Sequence, residues 1–332
     1  MERASADVLR EQLGQRRESL QQAISQVGRE DQLVGLLREV DAALERVNNG
    51  TYGKCETCHD SIEEERLLVN PLIRNCLDHL TATEQRMLEY DLDLAYQVQT
   101  ALLPKQGPVS RSWTAAYFYE PAGSVSGDYL DILVSDPSRD AFLFLVGDVT
   151  GKGVAASILM SNLHAIFRTL TRTSVPLGRL LEQANRLFCE GTTSRYFATI
   201  ACGLVRGDED VEVAAAGHPS PILLGLDGVT SIDSTGVPLG MFCATSYQSR
   251  EVRIAPGDSL LLYTDGLTEA RDAADHEYGL DRLVGLLAGL RSLSPDQIVG
   301  AIVQDLKSFR GKSKKLDDLS LLVLQRSATS SG

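Results

Sequence analysis

Five aspartates stand at the ends of apolar, strand-like runs, far apart in the chain but alike in their setting. Asp128 lies in Ser126-Gly127-Asp128-Tyr129, Asp148 in Val146-Gly147-Asp148-Val149-Thr150-Gly151, and Asp265 in Tyr263-Thr264-Asp265-Gly266. Asp317 and Asp318 open Asp317-Asp318-Leu319. The apolar runs 142–146 and 260–263 lead into Asp148 and Asp265, and 319–324 follows Asp318. Carboxylates gathered at buried strand ends repel one another, and their pKa values rise unless something positive sits among them. Hard divalent cations with oxygen ligands, Mg²⁺ or Mn²⁺, meet that need. Any one Asp-Gly or Gly-Asp pair taken alone reads more readily as a turn. The recurrence of the strand-to-aspartate pattern is what points to a carboxylate metal centre.

The residues around these aspartates carry a resemblance. Leu145-Val146-Gly147-Asp148-Val149-Thr150-Gly151-Lys152-Gly153-Val154-Ala155-Ala156 resembles the signature of the SpoIIE/RsbU-type serine/threonine phosphatases, a bacterial branch of the PPM metal-dependent superfamily. Ser126-Gly127-Asp128-Tyr129-Leu130-Asp131 is similar to the upstream motif of that branch, and Ala216-Gly217-His218-Pro219-Ser220-Pro221 to its Ala-Gly-His-x-x-Pro turn. Gly236-Val237-Pro238-Leu239-Gly240, the segment from Tyr263 to Ala270, and Asp317-Asp318-Leu319-Ser320 complete the order.

The resemblance implies an α+β fold, a PPM-type β-sandwich flanked by helices, with two Mn²⁺ or Mg²⁺ ions at one end. Asp148 would bridge the ions, with Asp128, Asp265 and Asp317 completing the set and Val149 adding its backbone carbonyl. Asp318 rivals Asp317, because the adjacent pair leaves the register open. Asp131 is expected to be structural or to act behind the ligands. Two ions about 4 Å apart would lower the pKa of a bridging water and neutralise charge developing on phosphoryl oxygens. His218 is expected to hold a turn rather than to serve as a general acid. Lys152 lies in a turn entering a helix, since the P-loop pattern around it is absent. Gly127, Gly147 and Gly266 are expected to keep bulk away from the ions. Local patterns agree with the fold: strand-like runs near 115–119, 141–146, 199–205, 211–215 and 260–263, and helical stretches near 153–172, 177–190, 279–290 and 295–309.

Composition narrows the class. The 332 residues are 43% hydrophobic and 23% charged, with a net charge of −13, which argues against a general nucleic-acid or anionic-membrane binder. No run approaches 18 continuous apolar residues and the N-terminus lacks a basic-then-apolar pattern, so a cytoplasmic protein is expected. Six cysteines in a chain of this length do not point to a disulfide framework. Cys189, Cys202 and Cys243 sit in apolar company and read as packing residues.

The first third is organised differently. Residues 1–50 read as helical, with apolar positions at Leu13, Leu20, Val27 and Val34 and a second phase at Leu33, Leu37, Val40, Leu44 and Val47. This spacing fits a coiled-coil seam or a helical hairpin breaking near Gly28 and Arg29. Within 51–80, Cys55-Glu56-Thr57-Cys58 and Cys76-Leu77-Asp78-His79 have the spacing of two zinc knuckles, so Cys55, Cys58, Cys76 and His79 are expected to hold one structural Zn²⁺. The segment from Tyr52 to Cys76 resembles the DksA/TraR zinc finger, departing from it at position 79, where that family usually has Cys. Residues 81–104 form a connector helix with Thr81 or Thr83 as N-cap, Glu84 placed for a capping box, and Pro104 at its end. Its tail, from Ala95 to Pro104, resembles the connector preceding the phosphatase domain in the SpoIIE/RsbU branch.

The expected organisation is therefore helices over 1–50, a finger over 51–80, a connector over 81–104 and a phosphatase domain over 105–328. The resemblance implies a protein serine/threonine phosphatase acting on a phosphorylated partner, such as a STAS-type anti-anti-sigma factor, under control of its N-terminal module. Homodimerisation through the N-terminal or connector helices is expected, with neither membrane nor nucleic acid as partner. The alternative is a non-enzymatic regulator that reaches RNA polymerase through the finger segment, with Glu30 and Asp31 near a hairpin tip.

Overall fold

The computed structural model describes residues 3–28, 30–63, 66–67, 70–136, 141–171, 175–192, 195–207 and 210–327. Arg29, at the expected helix break, and Arg172, at the expected end of a helix, lie outside the described residues. The chain divides into two compact units, Met1–Asp91 and Leu92–Gly332.

In the first unit, α1 (Arg3–Val27) and α2 (Asp31–Asn48) pack on each other as a helical hairpin. Leu13 and Leu20, two of the seven-spaced positions, meet Val40 and Ala43 in its apolar seam. Gly28 ends α1 at φ 100°, a left-handed conformation that costs glycine little. Arg17 and Asp41 pair at 2.7 Å on the outer surface. A loop-rich segment follows, with a small core of Cys55, Ile62, Leu67 and Cys76, and a 3₁₀ turn at Leu77–His79. Helix α3 (Ala82–Leu102) starts at a reciprocal cap. The Thr81 amide donates to Glu84 Oε2 at 2.9 Å and the Glu84 amide to Thr81 Oγ1 at 3.2 Å. The boundary between the units falls inside this helix.

The second unit has two antiparallel sheets. Its strands are β1 (Gly107–Pro108), β2 (Trp113–Glu120), β3 (Asp128–Asp136), β4 (Ala141–Val149), β5 (Ala198–Arg206), β6 (Asp210–Ala216), β7 (Ile222–Gly225), β8 (Gly228–Ser231), β9 (Arg250–Arg253), β10 (Ser259–Tyr263) and β11 (Leu319–Arg326). One sheet runs β1-β2-β11-β10-β7-β8 and the other β3-β4-β5-β6-β9. The helices are α4 (Gly153–Leu170), α5 (Leu177–Gly191), the short α6 (Asp265–Thr268), α7 (Leu280–Ala288) and α8 (Pro295–Arg310).

Continuous apolar strands follow from having both faces covered. In β4, Phe142, Phe144 and Val146 point into the core between the sheets, while Leu143 and Leu145 join the cluster under α4 and α5. In β10 and β11, Leu260, Leu262, Leu322 and Leu324 face the same inter-sheet core, while Leu261, Leu321 and Val323 pack against α7 and α8. The result is a sandwich with a helical layer on each side, as expected for the fold. No described helix is long and apolar enough to cross a membrane.

One expectation is corrected. Cys189 and Cys243 are not separate packing residues but form a disulfide, with Cα atoms 5.8 Å apart. The cause lies in Asn185 on α5, which accepts from the Gly240 amide at 2.8 Å and donates to the Phe242 carbonyl at 2.9 Å. This clamp lays the turn carrying Cys243 along the helix carrying Cys189. Cys202 is a buried free thiol, as expected.

Candidate metal centres

The acidic residues converge because the four strands that carry them come from both sheets. Asp128 begins β3 and Asp148 is the last residue but one of β4, and the register places the two directly opposite each other. Like charges in that position are destabilising unless something compensates. Asp265 opens α6 just beyond β10, and Asp317 and Asp318 precede β11. Burial raises the Asp128 carboxyl well above its usual range, reinforced by Asp148. Asp148 is pushed up to about 7, first by burial and then by Asp265, Asp317 and Asp318. Asp265 is raised by burial and by Asp317. Mutual repulsion is thus built into the cluster, which is the electrostatic signature of a site that takes cations.

The surrounding bonds separate the roles of the acids. Asp128 Oδ2 accepts from Ser320 Oγ at 2.6 Å and Thr264 Oγ1 at 3.0 Å. Both Asp318 oxygens are engaged by backbone, Oδ1 by the Ala122 amide at 2.7 Å and Oδ2 by the Gly127 amide at 2.8 Å. Asp317 is more exposed, and its Oδ2 lies 3.1 Å from Lys152 Nζ. Asp318 therefore clamps the loop that leads to Asp128, while Asp317 stands at the exposed side of the cluster, near Asp265 and Lys152. The Val149 amide donates to the Gly127 carbonyl at 3.3 Å, fixing the end of β4 against the same loop.

Close backbone approach accounts for two of the glycines. A Cβ on Gly266 would lie 1.9 Å from the Asp318 carbonyl oxygen, and one on Gly147 would lie 2.7 Å from that of Thr199. Lys152 caps α4, in the turn expected of it. Asp131 is fully buried, and Arg168 reaches it with Nε at 3.1 Å and Nη2 at 3.3 Å, tying β3 to α4. His218 is buried, with Nδ1 2.8 Å from Thr199 Oγ1.

Three contributors are polar residues to which the sequence reading gave no role. Thr264 and Ser320 hold Asp128, as described above. Gln99, near the end of α3, is buried; its Nε2 donates to the Ser126 carbonyl at 2.7 Å, and its Oε1 accepts from the Ser126 amide at 3.0 Å. Ser126 Oγ in turn accepts from the Asp128 amide at 3.0 Å. The available signal was the placement of Gln99 inside the connector motif and of hydroxyls beside the aspartates.

The second candidate centre is in the first unit. One ligand atom from each of Cys55, Cys58, Cys76 and His79 lies within 4.8 Å of all the others. Cys58 Sγ and Cys76 Sγ are 3.8 Å apart, the edge of a tetrahedron with metal–sulfur bonds of about 2.3 Å. His79 Nδ1 stands 3.3 Å from Cys76 Sγ, so histidine completes the quartet where a fourth thiolate would otherwise sit. Burial resists ionisation of Cys55, yet backbone amides of Cys58, Cys76 and Thr57 draw its thiol down to about 6. Three sulfurs and an imidazole at these distances fit one Zn²⁺.

Comparison with known proteins agrees with both regions. Residues 138–327 match the profile of the family described as Stage II sporulation protein E (SpoIIE), and residues 50–78 match the prokaryotic DksA/TraR C4-type zinc finger. The chain is 26% identical to Protein IcfG of Synechocystis sp. over 71% of its own length, but that match spans only 41% of the relative. It is 24% identical to the phosphoserine phosphatase RsbU of Bacillus subtilis, over 73% of this chain and 72% of that one. Among solved structures, the RsbU and RsbW domains of a Mycobacterium tuberculosis protein superpose with a TM-score of 0.59 at 28% identity, covering 69% of this chain and 64% of the other.

Proposed function

Because this chain belongs to the SpoIIE family, we propose that residues 105–328 hydrolyse phosphoserine or phosphothreonine on a partner protein, with two Mn²⁺ or Mg²⁺ ions as cofactors. The observation that carries this reading is the convergence of Asp128, Asp148, Asp265 and Asp317 from both sheets onto one end of the sandwich. Asp148 would bridge the ions, with Asp128, Asp265, Asp317 and the Val149 carbonyl around it. Asp318, rather than competing with Asp317, would hold the Gly127 loop in place. When bound, such ions supply an acidified water and neutralise the phosphoryl oxygens. The chain itself keeps the ligands apart: Thr264 and Ser320 orient Asp128 by hydrogen bonding, and Lys152 holds Asp317 toward the rim.

The N-terminal unit is proposed to hold one structural Zn²⁺ through Cys55, Cys58, Cys76 and His79 and to regulate the phosphatase. A STAS-type phosphoprotein is the proposed substrate, in a partner-switching circuit. Homodimerisation is proposed through α3, on which Met87, Leu88, Tyr90 and Leu94 are exposed. The alternative, action on RNA polymerase, rests on the DksA/TraR-like segment over residues 50–78 and on the α1–α2 hairpin, with exposed Glu30 and Asp31 where the helices join.

The deciding experiment is Mn²⁺-dependent hydrolysis of p-nitrophenyl phosphate by the full chain and by Asp148→Asn. Turnover by the wild type and a loss on the order of 10³-fold in the variant are expected. Undiminished turnover in the variant would remove Asp148 from the mechanism.

A further inference from the structure

The chain is acidic overall, yet its most basic stretch borders the candidate ligands. Between 307 and 315 stand Lys307, Arg310, Lys312, Lys314 and Lys315, with no acidic residue among them, and Asp317 follows. Part of this run is explained by the fold. Lys307 and Arg310 occupy the last turn of α8, where cations complement the helix dipole. Glu120 holds Lys315 at 2.7 Å and Arg310 at 3.8 Å, and Glu277 holds Arg271 at 2.6 Å. These pairs fix the wall of a cavity of about 100 Å³ that starts at Asp317 and Gly266. Its charged lining is Arg271, Arg310, Lys314 and Lys315 against Glu269 and Asp317; with Arg271 held by Glu277 and Asp275, and Arg310 and Lys315 by Glu120, Lys314 is the lining cation that stands open to an anion. Lys314 is exposed and, among the described residues, makes no ion pair; the same holds for Lys312 beside it.

A space of this size is too small for a cofactor but suits a single anionic side chain. It also shares Asp317 with the metal cluster, so an occupant would lie within a few residues of a phosphate held there, at about 3.3 Å of extended peptide per residue. We propose that this cavity is a docking subsite for an acidic side chain, Asp or Glu, flanking the phosphorylated residue of the substrate protein. The proposal rests on the phosphatase reading and adds a substrate class to it: phosphoproteins whose phosphosite lies in an acidic segment. Charged rims of this kind act mainly on encounter and selection, and salt screens them.

The test measures binding by fluorescence anisotropy of two labelled peptides to the full chain. Both carry a non-hydrolysable phosphonate analogue of phosphoserine, one flanked by Asp and the other by Asn. At low salt the Asp peptide is expected to bind about tenfold more tightly, the sum of two exposed ion pairs, to Lys314 and Lys312. That preference should shrink in 0.5 M NaCl. It should vanish in Lys312→Glu/Lys314→Glu, which reverses Lys314 in the lining and Lys312 next to it in the basic run, and survive in Lys54→Glu/Lys105→Glu, which makes the same change of charge elsewhere. Equal binding of the two peptides by the wild type, or a preference that survives the double substitution, overturns the proposal. Hydrolysis of p-nitrophenyl phosphate by the same wild-type preparation bears on the phosphatase reading alone: no turnover beside an intact acidic preference removes that reading and leaves an anion-docking cavity.

Discussion

The two candidate metal centres are built on opposite principles. The finger draws its four donors from residues 55–79, and the core around them is small: Cys55, Ile62, Leu67 and Cys76, two of them donors themselves. The aspartates are drawn from residues 128 to 318 and lie at the edge of a sandwich with three extended apolar clusters. In the finger, little apolar surface is available to hold the donors together, so the ion would supply much of the folding free energy. In the sandwich, the core does the holding. Its packing forces carboxylates together against their repulsion, and hydrogen bonds from Thr264, Ser320, Ala122 and Gly127 keep two of them in place. Local metal sites can be read from spacing alone, whereas distributed ones need the fold to be recognised first.

The largest effect expected from this contrast is on metal removal. A strong chelator, or Cys76→Ser, should abolish ordered structure around residues 51–80. Apparent zinc-binding free energies of about 10–16 kcal/mol in zinc-finger peptides indicate how much such a segment can depend on its ion. The sandwich should keep its fold under the same treatment. Hydrogen exchange followed by mass spectrometry reads both regions in one sample: amides of 51–80 should lose protection while those of β4, β5, β10 and β11 keep it. Equal loss in both regions would break the distinction. A finger that stays protected without metal would show that Ile62, Leu67 and their neighbours suffice.

The next effect lies where α3 enters the second unit. Gln99 makes two hydrogen bonds to the backbone of Ser126, two residues before Asp128. Gln99→Leu keeps the volume but leaves the buried Ser126 amide and carbonyl without those partners. A loss of 1–3 kcal/mol for each unsatisfied group, partly relieved by shifting the loop, is expected. If the loop moves, Asp128 moves with it, and kcat should change about tenfold in either direction while the melting temperature falls only slightly. An unchanged kcat beside a lowered melting temperature would reduce Gln99 to a packing role and leave the connector helix without a lever on the site.

How much of this was visible beforehand differs along the same line. The aspartates, the Cys/His quartet and most helices were legible, because apolar runs, x₂ spacing and 3.6-residue periodicity are local signals. Strand β3 was not, since Asp128 and Asp131 interrupt its apolar pattern, and β9 reads simply as Arg-Glu-Val-Arg. Asp317 and Asp318 were indistinguishable as neighbours. What separates them is the Ala122 amide and the Gly127 amide, nearly two hundred residues away in the chain. The Cys189–Cys243 bond was invisible for the same reason: it depends on Asn185 fastening a distant turn. Hydroxyls such as Thr264 and Ser320 resemble ordinary capping residues until the acid they hold is brought to them.

The smallest effect concerns a group with no place in the metal chemistry. Burial pushes the His218 imidazole down to about 3 from its usual 6.5. It hydrogen-bonds with Thr199, the residue opposite Asp148 in the β4–β5 ladder. Between those two values the unfolded chain carries a proton on this side chain and the folded domain does not. The unfolded state therefore binds more protons, and stability rises with pH across that window. The contribution is fully present above pH 6.5 and is lost as pH falls toward 3, at about 1.4 kcal/mol per pH unit. His218→Asn removes the titrating group, though it also costs some stability at neutral pH through lost packing. Urea unfolding of the metal-free chain at pH 7 and pH 5 separates the two effects. The wild type should lose about 2 kcal/mol more than the variant between those values. Equal losses would mean that His218 accepts its proton in the folded state, and that the scaffold behind Asp148 is more open to water than its burial implies.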